Sequence, residues 1–202
     1  MDTRTLSLAI VQSAVALFII IDPLGGLPVF AALVRDMEAS AQRRTVNLGV
    51  AVAAFILILF ATIGRPLLSL FSVGLPELMI AGGIMLGIIG LDEIFGIIPD
   101  RQTNREAMGI VPLACPLLAG PGAIVTTMLM IQRQPLPQNY IIAAASIALA
   151  LGASWVVFAF SAFFLRVLGA RGSLILAKLM GILVTAIGTH YVLQGLHDFC
   201  AR

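Results

Sequence analysis

Charge is what this sequence has least of: Asp, Glu, Lys and Arg together make up 11% of its 202 residues, against roughly 25% in soluble domains. Hydrophobic residues reach 60% and the mean hydropathy is +1.07, which excludes a water-soluble globular chain and indicates an integral membrane protein. The 12 basic and 10 acidic residues leave a formal charge of +2, too small and too scattered for a nucleic-acid face. Of the two cysteines, Cys115 lies in an apolar segment and Cys200 near the end of the chain, so both read as free thiols. The two histidines, His190 and His197, form no metal motif, and neither a Ser/His pair nor paired aspartates occur at helix spacing. An intramembrane enzyme is therefore disfavoured, and no cofactor or metal is expected. Trp155 and two tyrosines are a meagre lining for the wide cavity of a drug exporter. Nothing in the short loops provides the docking surface of a structural subunit.

What is present in quantity is apolar sequence, and it is interrupted in two matching places. Ile21-Asp22-Pro23-Leu24-Gly25-Gly26-Leu27-Pro28-Val29-Phe30 breaks the first apolar run, and Cys115-Pro116-Leu117-Leu118-Ala119-Gly120-Pro121-Gly122 breaks a later one. Each has a Pro-Leu pair with a second proline five residues on. Broken helices at corresponding places in two halves are the sequence pointer to a transporter's binding site.

A spanning helix needs about 20 mostly apolar residues, and the chain offers six such segments, at about 6–34, 46–71, 75–95, 110–131, 140–168 and 174–196. The first is read as a retained helix, because Asp22-Pro23-Leu24-Gly25 stands where a signal peptide would carry its cleavage site. Six spans put both termini on one side. That side holds Arg4, Arg65, Arg133 and Arg202, whereas Arg35, Arg43, Arg44, Arg101, Arg105, Arg166, Arg171 and Lys178 lie on the other. The positive-inside rule then places both termini outside. The third and sixth spans align at a shift of 98 residues, with Gly74, Gly83 and Gly90 falling on Gly172, Gly181 and Gly188. With three spans per copy the second copy must enter the membrane the other way round. The expected fold is thus all-α, a single transmembrane domain over residues 1–202 made of two inverted three-helix repeats (about 5–96 and 109–198), with helices 1 and 4 broken.

Proline gives no amide hydrogen to the carbonyl four residues back. Pro23, Pro28, Pro116 and Pro121 thus free backbone carbonyls. Beyond each first proline, the amides of Gly25, Gly26 and Leu27, and of Leu118, Ala119 and Gly120, are available to begin a new half-helix. Backbone groups at membrane depth are tolerated where they are buried in protein or line a wet cavity. Such breaks offer amides to an anion and carbonyls with Asp22 to a cation, so a zwitterion uses both. Prolines that merely kink packed helices are the plainer reading. Asp22 is the only carboxylate placed well inside a span, with no second acid near it in sequence. It serves as an ammonium or proton site, as a helix cap, or as both. Asp92 and Glu93 read as an interfacial pair at the end of the third span. Thr126 joins the candidate site, whereas most other Ser and Thr in spans are expected only to bond backbone. His190 is the candidate proton relay. Gly82, Gly83, Gly87 and Gly90 give the third span a face for close packing.

The stretches Asp22-Pro23-Leu24-Gly25-x-x-Pro28, Ala81-Gly82-Gly83-Ile84 with Ile89-Gly90, Val111-Pro112-Leu113-Ala114-x-Pro116-x-x-Ala119-Gly120-Pro121, and Leu179-Met180-Gly181 together resemble the MarC family of bacterial inner-membrane proteins, over nearly the whole chain. The resemblance implies a six-span inverted-repeat transporter, distantly similar to the LysE superfamily of amino-acid exporters. Its SnatA members are small neutral amino-acid transporters, and others carry the name of a multiple-antibiotic-resistance locus. Some relatives have Asn at the position of Asp22. The implied function is transport of a small neutral amino acid such as glycine or alanine, by alternating access at a midplane site between helices 1 and 4. The site would comprise Asp22, Pro23, Gly25, Gly26, Pro28, Pro116, Ala119, Gly120, Pro121 and Thr126. Its implied partners are the lipid bilayer and a coupling ion, proton or sodium, in the bacterial cytoplasmic membrane. Export of drugs or other metabolites is the alternative.

Overall fold

The computed structural model describes residues 3–34, 37–96, 118–132 and 137–201, all helix and short turns. Seven helices are described: α1 (Thr3–Ile21), α2 (Leu27–Val34), α3 (Ala39–Leu70), α4 (Leu75–Phe95), α5 (Pro121–Gln132), α6 (Pro137–Ala159) and α7 (Ser161–Cys200). Five contain stretches long and apolar enough to cross a membrane, at Arg4–Ile21, Ala39–Leu70, Leu75–Phe95, Gln138–Ala159 and Arg171–Cys200. A sixth, shorter apolar stretch is Pro121–Ile131. Large apolar side chains stay outward along these helices, among them Phe55, Ile58 and Ile63 on α3 and Ile175, Leu179 and Ile182 on α7. Such a surface suits lipid as its solvent.

The first apolar run is broken where expected, between α1 and α2. The fourth resumes as α5 at Pro121, and its earlier part, with Pro112, Cys115 and Pro116, lies outside the described residues. Other boundaries differ from the sequence reading. The second helix begins at Ala39, ahead of the apolar stretch, because Gln42 and Arg43 are good helix formers. The fifth span ends with α6 at Ala159, short of the expected end near residue 168, and a turn at Phe160 leads into α7. The connection expected near residues 169–173 falls on a break inside α7 at Gly169, whose backbone (φ 64°, ψ 175°) occupies a region open almost only to glycine, and the last apolar stretch begins just beyond it at Arg171. The turn from α3 into α4 closes with Val73 N donating to Leu68 O at 3.0 Å and Ser72 N to Ser69 O at 3.1 Å. Ser72 adopts φ 54° there, the left-handed cap that ends many helices.

The closest packing in the molecule is α4 against α7, which run antiparallel. A Cβ on Gly83 would stand 2.5 Å from Gly188 O, one on Gly90 2.5 Å from Gly181 O, and one on Gly195 2.8 Å from Pro76 O. Residues 76, 83 and 90 of α4 thus meet 195, 188 and 181 of α7, each step of seven matched by a step of seven back. Small residues in register let backbones touch, and in lipid such packing, with no hydrophobic drive between helices, is what binds them. Around this pair α1 packs on α6, α3 on α5 and α6, α5 on α4, and α2 on α7. A buried cluster joins Leu17, Ile20 and Ile21 of α1, Leu86 of α4, Ala123 of α5, Leu118, Ala119, and Ile147 and Leu151 of α6. Polar ties reinforce it: Trp155 Nε1 donates to Asn47 Oδ1 at 2.7 Å and Ser146 Oγ to Ile10 O at 3.2 Å.

Adding a side chain at the touching glycines should therefore be severe. Gly83→Val and Gly181→Val are expected each to lower stability by about 3 kcal/mol or more, the upper end of overpacking costs. Gly87→Ala, which meets nothing within 4 Å, should cost nothing. Thermal unfolding of the three variants in one detergent checks the contrast.

Candidate functional site

The chain leaves α1 through Asp22, which adopts φ 50°, a left-handed conformation that Asp tolerates better than most residues. Pro23 follows, buried, and cannot donate. The Asp22 carboxylate then closes the turn: Gly25 N donates to Asp22 Oδ1 at 3.0 Å. Gly26 N donates to Asp22 O at 3.1 Å and Leu27 N to Leu24 O at 3.3 Å. The three amides that the sequence reading offered to an anion are thus already taken. Asp22 fulfils the capping role, and a short side chain two to three residues upstream competes for amides better than a ligand does.

A second correction concerns Glu93. Its place near the end of α4 predicts an interfacial acid beside Asp92, and the sequence holds no second acid close to Asp22. Instead Glu93 reaches the break in the first span. The carboxyl groups of Asp22 and Glu93 lie side by side, since a methyl group on Gly25 would collide with both Glu93 Oε1 and Asp22 Oδ2. Two ionised carboxylates repel at such a distance, so the contact calls for a shared proton or a cation between them. The signal was available in the spacing: Glu93 lies three residues after Gly90 and seven after Leu86, on the face of α4 that looks inward.

The breaks in the first and fourth spans come together. A Cβ on Gly122 would touch Leu86 and stand 3.1 Å from Ile20 Cγ2. Leu86, near the middle of α4 and 1% exposed, is where the two ends meet. Ala119 is buried beside them, and Gly120 and Pro121 are half-buried. Pro121 opens α5, where its missing amide costs no hydrogen bond, and the first-turn amides that follow have no partner within the helix. Pro28 is exposed and stands apart. Pro116 lies outside the described residues. Thr126, one turn into α5 and 2% exposed, pairs with Tyr191 of α7 at 3.3 Å between hydroxyls. Tyr191 was not singled out from sequence, since one tyrosine in an apolar helix carries no pattern.

Other polar candidates do what Ser and Thr in apolar helices ordinarily do. Thr127, Ser154, Thr185 and Thr189 donate to carbonyls four residues back in their own helices, at 2.8–2.9 Å. His190 is exposed, with its ring centroid 6.3 Å from that of Tyr191. Cys200 is a free, exposed thiol. Among the described residues no three His, Cys, Asp or Glu side chains gather as a metal site would require.

Residues 7–200 match the family described as MarC family integral membrane protein. The chain belongs to the MarC family. It is 32% identical over 193 residues to the UPF0056 inner membrane protein YhgN of Escherichia coli K12, covering 93% of this chain and 95% of that protein. It is 31% identical over 194 residues to the UPF0056 membrane protein YhcE of the same organism, covering 90% and 89%. A UPF0056 membrane protein of Buchnera aphidicola subsp. Baizongia pistaciae is 30% identical over 195 residues, covering 94% and 97%. No solved structure matches this MarC chain.

The carboxyl pair makes a specific prediction. Gly25→Ala should lose about 1–3 kcal/mol of stability, because the added methyl displaces both carboxyls. Adding Glu93→Ala should recover part of that loss, so that the double variant is more stable than additivity allows. A double-mutant cycle on thermal unfolding measures it, and simple additivity would show that Glu93 does not press on Gly25.

Proposed function

We propose that this MarC protein carries a small neutral amino acid across the bacterial cytoplasmic membrane by alternating access, with the solute held where the two helix breaks meet at Leu86. The observation that carries this reading is that the ends of α1 and α5 converge on the middle of α4, with a carboxyl pair one heptad away and a helix N-terminus alongside. In this reading the solute ammonium faces Asp22 and Glu93, and its carboxylate takes the first-turn amides after Gly120 and Pro121. The crowding of Ile20, Leu86 and Gly122 disfavours a long side chain on the solute. The named relatives include an inner membrane protein, which supports the same location here. The charge asymmetry of the loops supports termini outside.

Two features favour an inverted repeat. The contact of Gly83 with Gly188 becomes that of Gly181 with Gly90 when each residue is moved by 98 positions, as a two-fold relation between spans three and six requires. The neighbours follow the same exchange: span one packs on span five as span two packs on span four, and span two packs on span five. A hydrogen-bonded carboxyl pair favours a proton over sodium as the coupling ion. The charged groups nearest to it along the chain and across the α4–α7 seam are Asp92, which is buried, and Lys178, which is exposed.

Reconstituted protein should take up labelled glycine or alanine, and collapse of a proton gradient should slow that uptake. Gly120→Leu, which fills the break, should reduce the initial rate about tenfold or more, the equivalent of about 1.4 kcal/mol. Flux that is the same with and without protein would remove the amino-acid reading.

A further inference from the structure

Two polar contacts stand apart from the apolar packing of the interior, and their places are related. Glu93, at one end of α4, meets Asp22 over Gly25, where an added methyl group would touch both carboxyls. Tyr191 meets Thr126, and packs against the cluster of Met79, Val125 and Leu129 toward the other end of α4. Leu86 lies midway, seven residues from Met79 and seven from Glu93, so the two contacts are about 20 Å apart along the helix. Tyr191 also stands 98 residues after Glu93, the offset that carries Gly83 onto Gly181 and Gly90 onto Gly188. Each contact ties a packed helix of the α4–α7 pair to the broken span that runs beside it: α4 to the turn after α1, α7 to α5.

We infer that these contacts are the two gates of the transport pathway, Asp22 with Glu93 closing it toward one face of the membrane and Thr126 with Tyr191 closing it toward the other. The inference rests on the alternating-access reading above. With both contacts made, the meeting point at Leu86 is shut off from both sides, which is the occluded state. Each gate turns on a side-chain contact between elements, of the size that a modest change in binding can break. Loss of one such contact shifts a two-state equilibrium about threefold to tenfold. Apolar contacts on either side hold the rest of the fold while one gate opens.

Accessibility of a buried reporter tests this without any substrate. Ala123 is 1% exposed and clusters with Ile20 and Leu86, between the gates. In a Cys115→Ser, Cys200→Ser background, Ala123→Cys is labelled with a membrane-impermeant maleimide in spheroplasts and in inverted vesicles, which present opposite faces. Tyr191→Phe, which keeps the packing ring and removes the hydroxyl, should raise the labelling rate about threefold to tenfold from one face only. Glu93→Ala should raise it from the other face. Glu93→Gln, whose amide still donates to Asp22, should leave it at the parent rate. Labelling that rises from the same face in both variants, or in neither, overturns the assignment. Should Glu93→Ala fail to fold, Tyr191→Phe decides alone: a rise from both faces, or none, overturns it. One-sided labelling together with absent glycine uptake would remove the proposed substrate and keep the gates.

Discussion

The arrangement depends on backbone meeting backbone between α4 and α7. In lipid, apolar side chains gain little by leaving one hydrocarbon environment for another, so helices hold together through close contact and polar ties. Gly83, Gly90, Gly181, Gly188 and Gly195 supply that contact in steps of seven. A Cβ at any of them would force the helices apart. With the spacing of α4 and α7 fixed, Leu86 sits at the centre of the molecule, and the broken ends of the first and fourth spans have one place to rest. The glycines therefore position the site from directly beneath it, Gly188 lying against Leu86 and Gly181 against Glu93.

The break in the first span shows how local and distant constraints divide the work. Locally, Asp22 turns the chain, caps Gly25 and leaves Pro23 with no amide to satisfy. From a distance, Glu93 arrives on α4 and places a second carboxyl against the first. A buried acid in a membrane span is costly unless partnered, and a second acid partners it through a shared proton or a cation held between them. That sharing makes the contact sensitive to whatever else can occupy the carboxyl oxygens, an ammonium group included. The break after the fourth span is different in kind: α5 begins at Pro121 beside buried Ala119, and offers amides where the first break offers oxygens. Two halves of opposite character facing Leu86 suit a dipolar solute better than an ion of either sign.

Much of this was legible in the sequence because it is written in short-range chemistry. Prolines 23 and 121 mark helix ends whatever surrounds them, and the third span was bounded at Leu75 and Phe95 by its turn residues. The glycine face of that span was legible, and the 98-residue offset pointed to its partner on the sixth. What escaped was set by contacts between distant residues. Glu93 looked interfacial because depth was judged from distance to the helix end, not from the face it shares with Leu86 and Gly90. The amides of Gly25, Gly26 and Leu27 looked available because a turn's internal bonds depend on dihedral angles that sequence does not state. The polar stretch around Arg171 marked a break that the structure places at Gly169, but the helix resumes at Arg171, sooner than the apolar pattern indicates.

The claim on which the account turns is that both broken ends meet at Leu86 and hold the solute there. A cryo-electron microscopy map of the protein in lipid nanodiscs with saturating alanine tests it most directly. The account predicts ligand density beside Leu86, bounded by Asp22 on one side and the start of α5 on the other. Broken ends resting on different helices, or alanine density away from both, would contradict it.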